Sequence, residues 1–212
     1  MKIKLIAFGL FIVMSACLYA QSNEQLEALQ KIESEYELVE NGTKVRYSKI
    51  YEDLGKSRED LLEGLTNFFR FREGYQLNGD FDVKDVNDTY VVTFSLNYGN
   101  VGGRASLGHD YSHYLVSNWR IDIKENRVRA IVDLSDYTQV HLNKTGILVK
   151  EYKNAVPLVA VAPFKKVKKE KDNEMYAACF IRTYVKTRDL FYYLGESFKM
   201  IVKKAPDAST DW

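Results

Sequence analysis

From Gly74 to Asp136 apolar residues recur with a period of two, and no other feature of the chain constrains its fold as much. Val92, Phe94, Leu96 and Tyr98 alternate with Val91, Thr93, Ser95 and Asn97, which sends the first set to one face of a strand and the second to the other. Leu115, Trp119, Ile121 and Ile123 mark another strand, with polar Ser117 interrupting its apolar face. A tight turn near Glu125-Asn126 leads into Val128, Ala130, Val132 and Leu134. Alternation of this kind predicts antiparallel neighbours with one face buried and one wet. Tyr75 to Val86 supplies the strand before them, turning at Asn87-Asp88. Gly99 to Ser112 holds Gly99, Gly102, Gly103 and Gly108, and it reads as a long exposed loop.

The remaining elements follow from other local signals. Leu26, Leu29, Ile32 and Tyr36 fall three to four apart behind the cap candidates Ser22 and Asn23, so residues 23–36 predict a short amphipathic helix. Residues 37–40, Asn41-Gly42 and residues 43–51 then read as strand, turn and strand, because Asn-Gly tolerates the positive φ of a type I′ turn. Ser57-Arg58-Glu59-Asp60 resembles a capping box. Leu61, Leu62, Leu65, Phe68 and Phe69 behind it form one stripe, predicting a helix over 58–72. Val156 to Pro163 is apolar but carries two prolines, which excludes a central strand and suits a connector packed across the domain. Residues 173–204 return to helical spacing, with Thr187-Arg188-Asp189 as a place where two helices could meet.

The expected architecture is α+β: an antiparallel sheet of five to six strands with helices on one face, an N-terminal helix and a C-terminal helix. The organisation is 1–20 signal peptide, 21–36 helical extension, 37–150 sheet domain, 151–171 connector, 172–205 helical segment and 206–212 tail. With 46% apolar and 28% charged residues, a chain of this size can bury a core without metal or disulfide. The formal net charge is only +1. The basic excess lies late in the chain, mostly in Lys165, Lys166, Lys168, Lys169 and Lys171, where a solvated segment is expected rather than a polyanion site.

The first twenty residues read as an export signal. Lys2 and Lys4 precede the apolar run Leu5–Met14, and Ala20-Gln21 is a cleavage site of the small-residue type. Met14-Ser15-Ala16-Cys17 resembles a lipoprotein box, so lipidation at Cys17 is the minority alternative, and membrane attachment is expected only by that route. Only Cys17 and Cys179 occur, and processing leaves no intrachain disulfide. Cys179 sits among apolar residues, where a thiol acts as a small hydrophobe.

Few residues propose chemistry. His109-Asp110-Tyr111-Ser112-His113 brings two imidazoles and a carboxylate together, as a transition metal or a hydrolase could use. The surrounding pattern is loop and strand, where that spacing does not force convergence, so no metal and no catalytic residue are assigned. His141 has no visible partner. Asp80, Asp82, Asp85 and Asp88 miss the calcium-loop spacing. No Gly-x-Ser-x-Gly elbow or phosphate loop occurs. The 15 tyrosines and 11 phenylalanines include Tyr47, Phe68, Phe94 and Phe191 at core spacing. No cofactor is expected.

Asn41-Gly42, then Val45-x-Tyr47-Ser48-Lys49-Ile50, then Ser57-Arg58-Glu59-Asp60-Leu61-Leu62 is similar to exported bacterial proteins, chiefly of the Bacteroidetes group. They belong to domain of unknown function 4468 (DUF4468), described as TATA-binding-protein-like (TBP-like). Asn126-Arg127-Val128-Arg129-Ala130-Ile131-Val132-Asp133 resembles the family's strand of alternating basic and apolar residues. The resemblance covers about residues 37–140 and implies a sheet with helices on one face; it brings no catalytic motif. The chain departs from it through the N-terminal helix and the 99–112 segment. The expectation is an exported, non-enzymatic module that binds a protein, peptide or glycan in the periplasm or at the cell surface, not nucleic acid. The alternatives are an enzyme using His109, Asp110 and His113, and a structural part of an envelope assembly.

Overall fold

A computed structural model describes residues 24–106, 109–143 and 145–201. The expected signal segment, with Cys17, Ala20 and Gln21, lies outside the described residues, as does the tail. The architecture is α+β. One sheet of eight antiparallel strands comprises β1 (Glu37–Val39), β2 (Lys44–Tyr51), β3 (Gln76–Leu77), β4 (Asp82–Val86), β5 (Thr89–Ser106), β6 (His109–Lys124), β7 (Arg127–Asn143) and β8 (Leu148–Val156). The helices are α1 (24–32), α2 (Arg58–Phe71) and α3 (Glu170–Met200).

The strand order is β1-β2-β7-β6-β5-β3, with β4 also on β5 and β8 also on β7. β5, β6 and β7 form a long central meander, and shorter strands share its two outer edges. The sheet holds two to three strands more than the five to six expected. The stretch from Tyr75 divides into β3 and β4 around Gly79, whose φ is +94°. β8 comes from a region whose sequence carries no clean alternation, and it carries the sheet past the expected boundary at 150.

The largest correction concerns the 99–112 segment, in which residues 99–106 and 109–112 form strand and not an exposed loop. β5 continues through them to Ser106 and pairs with β6 as far as Ser106–His109, with register shifts at Asn100 and Gly102. Asn97 Oδ1 accepts from the Gly99 amide at 2.8 Å, and Asn100 Oδ1 accepts from the Gly102 amide at 2.8 Å. Those side chains satisfy amides that the irregular ladder leaves unpaired, and the glycines permit the bulges. The Gly103 Cα lies so close to the Tyr111 carbonyl that no Cβ fits. A Cβ on Gly102 would come within 2.5 Å of Cys179 Sγ on α3, so this glycine sets how closely helix and strand approach. Gly102→Ala is expected to lower stability by about 1–3 kcal/mol through overpacking. A urea midpoint that falls with an unchanged m-value would show it, and an unmoved midpoint would refute it.

The helices share one face of the sheet. Ser57 caps α2 by accepting from the Asp60 amide at 3.1 Å. Behind it, Leu61, Leu65 and Phe69 point into the core. α3 runs unbroken for 31 residues, as the expected C-terminal helix, without the break that Thr187-Arg188-Asp189 could have made. The Thr187 hydroxyl bonds the Thr183 carbonyl at 2.9 Å and the Tyr98 hydroxyl at 3.0 Å, so a residue that often ends helices is satisfied inside one.

Phe69, Phe94, Trp119 and Phe191 meet in the middle of the core, with Ile32 of α1 and Leu158 and Val161 of the connector also buried. The expectation of a connector packed across the domain is met. The turn expected at Asn41-Gly42 is longer than two residues: β1 ends at Val39 and β2 begins at Lys44, with positive φ at Glu40, Asn41 and Gly42.

Candidate functional site

Strand alternation that buries Val92, Phe94, Trp119, Ile121, Val128 and Ala130 under the helices sends their neighbours to the opposite face. Register aligns those neighbours into rows. Arg46 of β2 faces Asp133 of β7, which faces Asn118 of β6, which faces Ser95 of β5. The next row holds Ser48, Ile131, Arg120 and Thr93, and the one after it Ile50, Arg129, Asp122 and Val91. Lys124 and Arg127 pair at the turn end of the meander. Among the described residues no helix lies on this face.

Its electrostatics centre on Asp122, which is only 8% exposed. Arg120 Nε donates to one carboxylate oxygen at 2.9 Å, and Arg129 donates to the other through Nε at 2.9 Å and also through Nη2. Burial alone would raise the Asp122 carboxyl, but the hydrogen bonds from Arg129 and Arg120 outweigh it and hold the group below its ordinary value. One carboxylate thus orients two guanidiniums whose side chains stay about half exposed, 54% and 51%.

A shallow cavity of about 460 Å³ opens beside them, lined by Arg120, Asp122, Lys124, Arg127 and Arg129, with Ile50 and Val86 among its apolar lining. Four cationic side chains there face one lining carboxylate, and Glu52 pairs with Arg127 at 3.1 Å, so the cavity still presents net positive charge. Farther along the same face, Arg46 forks onto Asp133 at 2.6 and 2.8 Å, within a second hollow lined also by Ser95, Asn118 and Arg120. A third hollow of about 600 Å³ follows over Tyr114, Val116, Thr138 and Val140. The face is therefore an open trough, cationic at one end and polar at the other.

The residues singled out by sequence fall elsewhere and do not converge. His109, Asp110 and His113 all lie on β6. His113 is fully buried, with its ring against Tyr137 and Tyr176. Burial, and secondarily the Arg104 charge, lower its pKa to about 4. Asp110 alternates to the opposite face from both histidines. The grouping that suggested a metal or a hydrolase thus places its three side chains in three environments.

His141, which had no visible partner in the sequence, instead meets His109: His141 Nε2 and His109 Nδ1 lie 3.0 Å apart. Cys179 is fully buried, and burial pushes its thiol up to about 12, as expected of a core residue. Lys165, Lys166, Lys168, Lys169 and Lys171 are exposed in the connector and the start of α3. Among the aromatics, Tyr47 and Phe94 are core, and Phe68 and Phe191 pack against it.

No protein-family model and no curated protein matches the chain. Two solved structures are similar to it. A TBP-like protein from Parabacteroides distasonis ATCC 8503 has 15% identity, a TM-score of 0.47, and coverage of 76% of this chain and 96% of that one. A DUF4468 family protein from Bacteroides ovatus ATCC 8483 has 16% identity, a TM-score of 0.38, and coverage of 78% and 90%. The resemblance read from the sequence covers residues 37–140. That resemblance includes Arg127 and Arg129, and here the alternation Arg-Val-Arg-Ala holds the one signal that could have found the cationic face. A charge total hides it, because between Gly74 and Asp136 carboxylates outnumber the basic side chains.

Proposed function

We propose that the chain is a non-enzymatic binding module whose open sheet face takes an extended, acidic segment of a partner protein. The single observation behind this reading is the positively charged cavity at Arg120, Lys124, Arg127 and Arg129, on a sheet face that no described helix covers. An acidic segment complements it by charge, and half-exposed Ile50 and Val86 (45% and 49%) offer apolar contact at its rim. A glycan would ask for exposed aromatic platforms, yet the sheet's large rings turn mostly inward; of the residues lining the three hollows, Tyr114 is the aromatic one that faces outward by strand alternation. The non-enzymatic part of the reading draws on the separation of His109, Asp110 and His113. The module is read as exported, with removal of residues 1–20 at Ala20-Gln21; no helix among the described residues is long and apolar enough to cross a membrane.

Binding of a glutamate-rich peptide, followed by fluorescence anisotropy, tests the reading. Lys124→Ala combined with Arg127→Ala leaves the Asp122 network intact and is expected to weaken binding about tenfold at low salt and to flatten its salt dependence. Equal affinity in the variant, or no binding by the native chain, would refute the reading. Stronger binding of a sulfated glycan or of duplex DNA than of the peptide would reject the choice of partner.

A further inference from the structure

The contact between His109 and His141 is independent of the open face and belongs to no part of the reading above. In the β6–β7 register His109 faces Asn143 and His141 faces Tyr111. The two imidazoles are therefore diagonal neighbours on one face of the ladder, near enough for their rings to meet. Their ring centroids are 4.9 Å apart, and Tyr111 stacks on His141 at 4.6 Å with the planes inclined by only 11°. The stacking holds one imidazole in place while His109 stays exposed at the strand end. Among the described residues neither ring pairs with a carboxylate.

We infer that His109 and His141 chelate a borderline transition-metal dication of the Zn²⁺, Ni²⁺ or Cu²⁺ kind through His109 Nδ1 and His141 Nε2. Metal–imidazole bonds of about 2.0–2.1 Å place two cis nitrogens about 2.9 Å apart at a right angle and about 3.3 Å apart in a tetrahedron. The 3.0 Å between these two atoms lies inside that span. In the metal-free pair one ring donates its N–H to the other. On binding, that proton moves to the donor ring's other nitrogen, so both lone pairs become available and no proton is lost.

Imidazole is the ligand these dications favour over calcium or magnesium. Among the described residues no third histidine, cysteine, aspartate or glutamate completes a cluster with the pair. The ion therefore keeps open positions for water or for a donor from another molecule. Asp110 is excluded because it points to the opposite face, and His113 because it is buried.

Isothermal titration of the full chain, prepared without a histidine tag, with NiCl2 and ZnCl2 tests the site. The chain has only three histidines, so the background is small. One ion per chain is expected, with His109→Ala and His141→Ala each weakening binding at least tenfold and Asp110→Asn leaving it unchanged. His109→Gln and His141→Gln repeat the measurement with side chains closer in size, and circular dichroism checks that each variant is folded. Undiminished binding in the folded double variant, or no saturable binding by the native chain, would overturn the inference.

Discussion

Trp119→Ala is expected to destabilise the protein by about 3–5 kcal/mol. The indole is 1% exposed. It stacks on Phe94 at 5.8 Å and meets Phe69 at 5.1 Å and Phe191 at 5.5 Å edge-on. It therefore joins β5, α2 and α3 to β6 at one point. Its Nε1 donates to Ser117 Oγ at 2.9 Å, and Ser117 donates to the Leu96 carbonyl at 3.2 Å, which explains a serine on an otherwise apolar strand face.

Alanine would leave a cavity that three separate elements must close around, and it would remove the indole N–H that Ser117 Oγ accepts from. A fall in Tm of about 6–20 °C follows for a domain of this size. Trp119→Phe keeps most of the ring and should lose well under half as much. Calorimetry that found a loss below about 1 kcal/mol for the alanine variant would remove Trp119 from the centre of the core.

The second large effect is a loss of stability in mild acid that depends on His113. In the folded protein the imidazole is buried against Tyr137 and Tyr176, and its pKa is lowered to about 4; unfolded, it returns to about 6.5. Between those values the unfolded chain binds the extra proton, so stability rises with pH across the window. The full contribution is present above about pH 6.5, is lost as pH falls, and is gone below about pH 4. At about 1.4 kcal/mol per unit, the swing is about 3 kcal/mol.

His113→Phe removes the titrating group while keeping a ring among rings. Urea denaturation at pH 7, 5.5 and 4 should therefore show a flatter pH dependence in the variant than in the native protein. Carboxylates titrate in both, so the difference between the two proteins carries the test. Parallel curves would contradict it.

Much of the fold was legible because its strands bury one face. Val92 to Tyr98 and Val128 to Leu134 announce both their conformation and their orientation, and Ser57 with its acidic followers announces the start of α2. Residues 99–112 were not legible for a specific reason. Glycine signals a turn when its neighbours are flexible, but Gly102 and Gly103 lie in a strand that has α3 against one side and the Tyr111 carbonyl against its edge. The requirement for no side chain comes from partners distant in sequence. Thr187 misled similarly, because its hydroxyl partner, Tyr98, lies on another element.

The candidate site was less legible than the fold. Arg127 and Arg129 alternate with buried residues, and that pattern alone places them on the open face. Their association with Arg120 and Lys124, and the carboxylate of Asp122 between them, depends on β6–β7 register, which periodicity does not specify. The meeting of His109 with His141 depends on the same register.

The pairing of β2 with β7 also bears on how the chain reaches this state. β5, β6 and β7 follow one another closely in sequence and can zip together locally, whereas Val45 must find Leu134 and Tyr51 must find Val128 across most of the domain. Closing so long a loop carries an entropic penalty that the nearer pairings avoid. The expected order of assembly is the meander first, then capture of β2 together with β1, with α2 following directly in the chain. The Arg46–Asp133 fork, which spans that junction, is then expected to form late.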